Sequence, residues 1–264
     1  KRLQLKDENE LQSYFIRQMD DYVTAKGKNI IGWDEILEGG LAPNAAVMSW
    51  RGEEGAVAAA KQKHKAVLCP GSHCYFDHYQ SAVTAKEPLA IGGFTPIEKV
   101  YAFDPQPKQL SDYEQEYVLG AQGNLWSEYL QVSTQVEYMA VPRISALAEV
   151  LWTGNNKPGF DNFKHRLHTH FNTLDRYQIY YAKTIFDVKA ESSKQGEQTV
   201  VVLQSPFNEG KIYYTTDGNA PDKNSAVYVS GSPLKISKNT LLQAQYYENG
   251  QPRGNMLSTE IKVQ

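Results

Sequence analysis

The chain has 264 residues, 41% of them apolar, enough for one large domain or two smaller ones with a buried core. Lys plus Arg number 27 against 30 Asp plus Glu, a formal charge of −3, and no long basic run offers a footprint for nucleic acid. No apolar run approaches the length a bilayer needs, nothing reads as a signal peptide, and the small basic cluster from Lys61 to Lys65 is expected to be a solvated helix face.

Residues 9–26 read as a helix, because Leu11, Phe15, Met19 and Tyr22 recur at helical spacing and Gly27 supplies a stop. Asp7 and Glu8 precede it as an acidic pair suited to a helix N-terminus. The chain starts abruptly in the run-up to this helix and is therefore expected to be a fragment. Short apolar runs at 29–33, 46–50 and 66–69 read as strands, with an alanine-rich helix over 53–64 between the last two. A loop-rich stretch covers 72 to about 116, a fourth strand is expected over 118–126, and two strong helices over 134–151 and 161–182.

Strands alternating with helices imply parallel strands joined by crossovers. Polar and aromatic residues follow each strand, as in a (β/α) barrel whose active-site residues sit on the loops after the strands. The expected fold class is α/β. It comprises a partial (β/α)8 TIM barrel of about four βα units over 1–183, then a small all-β, immunoglobulin-like sandwich over 184–264. Within the second region, 200–203, 212–215 and 240–244 are strand candidates, and Asp217-Gly218-Asn219 and Glu248-Asn249-Gly250 are hairpin-type turns.

Four aromatic-acidic clusters fall at strand ends: Gly32-Trp33-Asp34-Glu35, Met48-Ser49-Trp50-Arg51-Gly52, Cys74-Tyr75-Phe76-Asp77, and the run from Gly120 through Asn124-Leu125-Trp126-Ser127 to Glu128. Three of the four Trp residues thus share one end of a parallel sheet, an arrangement that scattered core tryptophans have no reason to adopt. Flat rings with carboxylates between them can wall a pocket for a sugar. Cys69 and Cys74 are too few for a disulfide framework, and no further ligands stand at metal spacing, so two reduced thiols and neither metal nor cofactor are expected. His73 and His78, which flank the Tyr-x-Asp motif, read as loop histidines.

In order and spacing these motifs resemble those of family 20 β-N-acetylhexosaminidases. The helix from Glu137-Tyr138-Met139 through Pro142-Arg143 to Ala148-Glu149 and Trp152 is similar to the family's last barrel helices. The tail, with Tyr213-Tyr214-Thr215-Thr216-Asp217-Gly218 and Pro221, resembles the small sandwich of chitobiase-type enzymes. The resemblance implies an exported bacterial parent that releases terminal N-acetylhexosamine. In this family the substrate's own acetamido oxygen is the nucleophile, an exception to the two-carboxylate rule.

By matching position, Trp33, Trp50 and Trp126 would box the acetamido methyl and Tyr75 would donate its phenol hydrogen to the acetamido oxygen. Asp77 and Glu128 would accept hydrogen bonds from sugar hydroxyls. The family's catalytic Asp-Glu pair follows a Gly-Gly, a context that Asp7-Glu8 lacks. The pair is therefore expected upstream, the chain alone is expected to be inactive, and the uncovered sheet edges point to the missing barrel half or self-association as partners. Rival readings are a carbohydrate-binding or adhesive role for the sandwich, in which Tyr246 and Tyr247 would serve as a platform, a purely structural role for it, and a different glycosidase on the same barrel.

Overall fold

The computed structural model describes residues 3–196 and 198–263. Helix α1 (Glu8–Thr24) begins where Asp7 accepts the Glu10 N–H at 2.9 Å, an N-cap bond that satisfies one orphan donor of the first turn. Its buried residues are polar. The Ser13 hydroxyl lies 3.1 Å from the Glu38 carbonyl oxygen and 3.0 Å from that of Gly40, and Asp20 accepts from the Asn44 side chain at 3.2 Å. A side chain at Gly39 would stand 2.3 Å from the Asn9 carbonyl oxygen, and its φ is +81°, so this close approach requires glycine. The stripe that marks the helix in sequence faces solvent instead: Leu11 is 52% exposed, Phe15 56% and Tyr22 65%.

Strands β1 (Ile31–Trp33), β2 (Ala46–Ser49), β3 (Ala66–Leu68) and β4 (Val118–Ala121) form one sheet in the order β1-β2-β3-β4, all parallel. Registers such as Trp33↔Met48↔Val67 and Gly32↔Val47↔Ala66 define its two faces. Val47, Ser49, Ala66 and Leu68 are buried on one face. There α2 (Glu54–Lys61) packs with Ala56, Ala59 and Ala60, and the Ala56 N–H bonds the Ser49 hydroxyl at 3.0 Å. Ile31, Trp33, Met48 and Val67 line the other face, all at least partly open. A helix-covered parallel sheet of four strands is half of a closed (β/α) barrel. Lys61, Lys63 and Lys65 are exposed, as a solvated face requires.

The expected loop over 72–116 contains three short helices, α3 (Gly71–Cys74), α4 (Ile97–Tyr101) and α5 (Asp112–Gln115), the last closed by a capping box between Ser111 and Glu114. The fourth strand ends at Ala121, short of the expected 126, and its register against β3 shifts by one residue between Val118 and Gly120, where Gly120 takes φ +130°. The single helix expected over 134–151 is two, α6 (Ser133–Ala140) and α7 (Arg143–Thr153), divided at Pro142, which has no N–H to continue the ladder. Helix α8 (Phe160–Arg176) stops short of 182. Gln178 adopts φ +57° and the Ile179 N–H reaches the Leu174 carbonyl at 3.0 Å, a Schellman stop.

The chain divides into two compact units, Lys1–Tyr181 and Ala182–Gln264. The second holds two antiparallel sheets. One has the order β11-β10-β7-β8 (β7, Lys211–Thr215; β8, Ala226–Val227; β10, Thr240–Glu248; β11, Gln251–Ile261), the other β5-β6-β9 (β5, Lys189–Gln195; β6, Gln198–Gln204; β9, Leu234–Ile236). Asn249 and Gly250, at φ +50° and +73°, close the β10–β11 hairpin as an Asn-Gly turn should. Asp217-Gly218-Asn219 is a local Asx turn instead, the Asn219 N–H bonding Asp217 at 3.0 Å, and a longer loop follows before β8. Val201, Leu203, Ile212, Leu242, Ala244 and Tyr246 are buried, with Phe186, Phe207 and Tyr246 in ring contact.

Candidate active site

Each parallel strand delivers one aromatic residue at or just beyond its C-terminal end, and the rings meet. Trp33 and Trp126 have ring centroids 5.4 Å apart at 42°. Tyr75 stands 6.3 Å from Trp50 and 6.4 Å from Trp126. Trp33 and Trp126 follow the two edge strands, which a flat sheet would hold three strand spacings, about 14 Å, apart. Trp126 lies five residues past the end of β4, and the loop carries its indole to that of Trp33. Separations of 4.5–7 Å are those at which aromatic pairs attract. Trp126 remains 38% exposed, whereas Trp33, Trp50 and Tyr75 are half-buried. Burial pushes the Tyr75 phenol up, so it stays a hydrogen donor at neutral pH.

The turn carrying Trp50 is pinned from several sides. Asp34, 2% exposed, accepts the main-chain N–H of Trp50 at 3.1 Å and of Arg51 at 3.2 Å, and its other oxygen takes Arg51 Nε at 2.6 Å. The Ser49 hydroxyl donates to the Gly52 carbonyl at 2.8 Å. The Trp50 indole N–H points at the Glu35 carboxylate, 3.0 and 3.2 Å from its two oxygens. A side chain at Gly55 would sit 2.7 Å from Ser49 Oγ and 2.8 Å from Asp34 Cβ, so α2 can approach this turn only with glycine there.

The Tyr75–Asp77 segment is held in two ways. Its main chain pairs with the loop after β4: Phe76 N–H donates to the Asn124 carbonyl and Asn124 N–H to the Cys74 carbonyl, both at 2.7 Å. Behind it lies Arg143, 0% exposed, which donates to the carbonyls of Phe76, His78, Thr95 and Met139 and sits 5.1 Å over the Phe76 ring. Burial lowers the Arg143 guanidinium to about 9, still cationic at neutral pH. Asp77 is 6% exposed, and its Oδ1 is buried with no hydrogen-bond partner. Burial pushes its carboxyl up, and the nearby charge of Glu128 acts in the same direction. Glu128 itself is exposed.

The structure thus brings Trp33, Trp50, Tyr75 and Trp126 into one cluster, with Asp77 two residues beyond Tyr75 and within electrostatic reach of Glu128. His78 lies 5.6 Å from Tyr75 at a 47° tilt and is held by Thr95 at 3.1 Å, and burial lowers its ring below the ordinary histidine value. Asp7 serves as a helix cap, remote in role from any sugar. Cys69 and Cys74 are free and buried, and burial pushes their thiols up to about 11 and about 12. Asp34 and Glu35, whose sequence context marks them as structural partners and not as sugar ligands, hold the Trp50 turn. The supporting contacts of Asn124 and Arg143 were not foreseen; the available signal for Arg143 was a lone arginine on the apolar face of a helix. In the second unit Tyr246 is fully buried, which removes it as a platform, and Tyr247 packs edge-on against Tyr213 at 5.1 Å. A separate cavity of about 450 Å³, lined among others by Phe103, Leu119, Leu151 and Lys157, shares no residue with the aromatic cluster.

Among the described residues no helix is long and apolar enough to cross a membrane. Comparison with known proteins matches residues 1–155 to the catalytic domain of glycosyl hydrolase family 20 and residues 190–258 to the chitobiase/beta-hexosaminidase C-terminal domain. A beta-hexosaminidase of Porphyromonas gingivalis is 44% identical over 245 residues, covering 90% of this chain and 31% of that protein. A beta-N-acetylhexosaminidase of Cellulomonas fimi is 32% identical over 154 residues, 57% of this chain and 30% of that protein. Among solved structures, the family 20 exo beta-N-acetylglucosaminidase of Vibrio harveyi in complex with N-acetylglucosamine superposes with TM-score 0.63 at 30% identity, covering 69% of this chain and 29% of that one. The chain therefore spans about a third or less of the length of the curated relatives it matches. With the catalytic-domain match extending over more than half of its residues and the half barrel in place, this chain belongs to glycosyl hydrolase family 20.

Proposed function

We propose that the chain works in an exo-β-N-acetylhexosaminidase that releases terminal non-reducing GlcNAc or GalNAc by substrate-assisted, retaining catalysis. The observation that carries this reading is the single cluster of Trp33, Trp50, Tyr75 and Trp126, with centroids 5.4–6.4 Å apart at the open mouth of the sheet. Apolar ring faces suit the methyl of an acetamido group. The Tyr75 phenol donates to the acetamido oxygen and aims it at the anomeric carbon, where attack closes an oxazolinium ring. Holding a nucleophile in this way contributes up to roughly 7–11 kcal/mol in good intramolecular cases. Asp77 Oδ1, buried and unpartnered, is ready to accept a sugar hydroxyl, and exposed Glu128 accepts another. The relative from Vibrio harveyi whose solved structure holds N-acetylglucosamine supports the same ligand class.

Among the described residues, no carboxylate is placed to supply general acid catalysis. Asp7 caps a helix, Asp34 is bound by Arg51, and Glu35 is bound by the Trp50 indole. A catalytic Asp-Glu pair from the other half of the barrel fills this role, and that half also covers the open face of the sheet and the exposed stripe of α1. Without the acid, turnover falls by about 10²–10⁴-fold, before any loss of pocket. The 264-residue chain is expected to show no measurable hydrolysis of a chromogenic GlcNAc glycoside, yet to bind N-acetylglucosamine in preference to glucose by NMR titration. Turnover at an ordinary enzymatic rate, or equal response to the two sugars, defeats the reading. Alone, the chain is expected to associate through its open edges and apolar faces; a clean monomer in light scattering at high concentration counts against that.

A further inference from the structure

The two carboxylates after Trp33 have separate tasks. Asp34 shapes the main chain: it takes the N–H groups of Trp50 and Arg51 and the Arg51 guanidinium. Glu35 takes no part in that. Its carboxylate lies 3.0 and 3.2 Å from the Trp50 indole nitrogen. The Arg51 guanidinium is hydrogen-bonded to Asp34 at 2.6 Å and Glu38 at 3.0 Å and feels Glu35 only through its charge, so the hydrogen bonds of the Glu35 carboxylate go to the indole. Glu35 is itself anchored, since its main-chain carbonyl accepts from the Gln12 side chain at 2.7 Å and from the Glu38 N–H at 3.0 Å.

A tryptophan on a half-buried loop has more than one staggered side-chain position available. A bond from a carboxylate to its single N–H selects one of them, and a bond with an ionised partner is stronger than a neutral one. The selected ring stands 6.3 Å from Tyr75 at 31°, so rotation of Trp50 would also remove one wall against which the phenol is placed. We propose that Glu35 is a positioning residue that fixes the Trp50 ring as a wall of the acetamido site and thereby sets the preference for N-acetylated over plain hydroxylated sugars. This deepens the function proposed above and rests on it.

The experiment uses the 264-residue chain labelled with ¹⁵N, in which the indole resonance of Trp50 is assigned by its loss in Trp50→Phe. In Glu35→Leu that resonance moves to the position of a free indole, while the signals of Trp33 and Trp126 shift less and the melting temperature stays put. N-acetylglucosamine binding falls about tenfold, glucose binding is unchanged, and the ratio between the two sugars falls with it. Glu35→Gln keeps the shape and an acceptor but no charge, so the Trp50 resonance moves part of the way and binding falls less. It carries the test if Glu35→Leu does not fold. An unmoved Trp50 resonance in both variants, or an unchanged ratio of sugar affinities, overturns the proposal. A wild-type chain that does not distinguish the sugars instead sinks the acetamido reading, and the Trp50 resonance still decides whether Glu35 holds the ring.

Discussion

The loops after β2 and β3 differ from the loop after β4, although all three carry rings to the same cluster. After β2, Asp34 and Glu35 accept from the main-chain and indole donors of the Trp50 turn, and the Ser49 hydroxyl donates to its Gly52 carbonyl. After β3, Arg143 bonds four carbonyls from three segments behind Tyr75 and Asp77. After β4, Trp126 is 38% exposed and Glu128 lies in solvent. The first two loops carry their own buried polar scaffold. The third sits on an edge strand, and its rigidity depends on what is placed against it. Pre-organisation in this site is therefore uneven, complete where the supporting groups lie within the chain and open where they do not.

Arg143 is where that contrast breaks most visibly. Arg143→Leu keeps much of the volume but strands four buried carbonyl groups, each an acceptor that must otherwise be paired. A loss of about 3–5 kcal/mol is expected, as for other disrupted buried charge networks. Urea unfolding measures it, and a loss below about 1 kcal/mol would show that the loop after β3 does not depend on the clamp. Next in size is Gly55→Ala. Its new methyl meets Ser49 Oγ at 2.7 Å and Asp34 Cβ at 2.8 Å, both parts of the Trp50 scaffold, so overpacking of about 1–3 kcal/mol is expected in the same assay. A neutral Gly55→Ala would mean that α2 shifts freely and the turn after β2 is no firmer than the one after β4.

The legibility of these loops in sequence follows the same division. The convergence of Trp33, Trp50, Tyr75 and Trp126 could be read because each residue lies at the end of a short apolar strand or on the loop after one, and parallel strands put all such ends on one side. The supports could not. Glu35 meets Trp50 only through the relative placement of two loops, and Asn124 meets Phe76 only through an isolated bridge beyond the regular ladder. The break between α6 and α7 was readable at Val141-Pro142 and was overrun by the apolar periodicity on either side. Strand β5 escaped because Lys189-Ala190-Glu191-Ser192-Ser193-Lys194-Gln195 has almost no apolar residue to alternate. It is an edge strand exposed at every position but Ala190, and pairing with β6, not burial, defines it.

Asp77 tests the loop after β3 with the opposite sign. Burial raises its folded-state carboxyl above the ordinary 3.8. The unfolded chain therefore ionises first as pH rises, and stability falls from pH 3.8 until the raised folded value is passed, staying lower beyond it. Asp77→Asn removes that cost. The variant is expected to melt higher than wild type at pH 7 and to match it below pH 3.8, while losing affinity for N-acetylglucosamine. A lower melting temperature at pH 7 would mean that the Asp77 carboxylate is a structural partner within the loop and not an acceptor kept for a hydroxyl.

Glu128 gives the smallest effect on stability and the sharpest separation between folding and recognition. It is exposed on the loop after β4, beyond the Asn124 pairing, so Glu128→Gln should change unfolding free energy by no more than about 0.5 kcal/mol. The same substitution trades a charged acceptor for a neutral one at the edge of the sugar site. Hydrogen bonds to charged groups contribute about 1.5–3 kcal/mol, so affinity for N-acetylglucosamine should drop measurably while the melting curve does not. The comparison sharpens when Glu128→Gln is combined with Arg143→Leu. Independent loops give additive losses of affinity. Strong coupling would mean that the clamp behind Tyr75 also fixes the loop after β4, through the Phe76–Asn124 pairing that joins them.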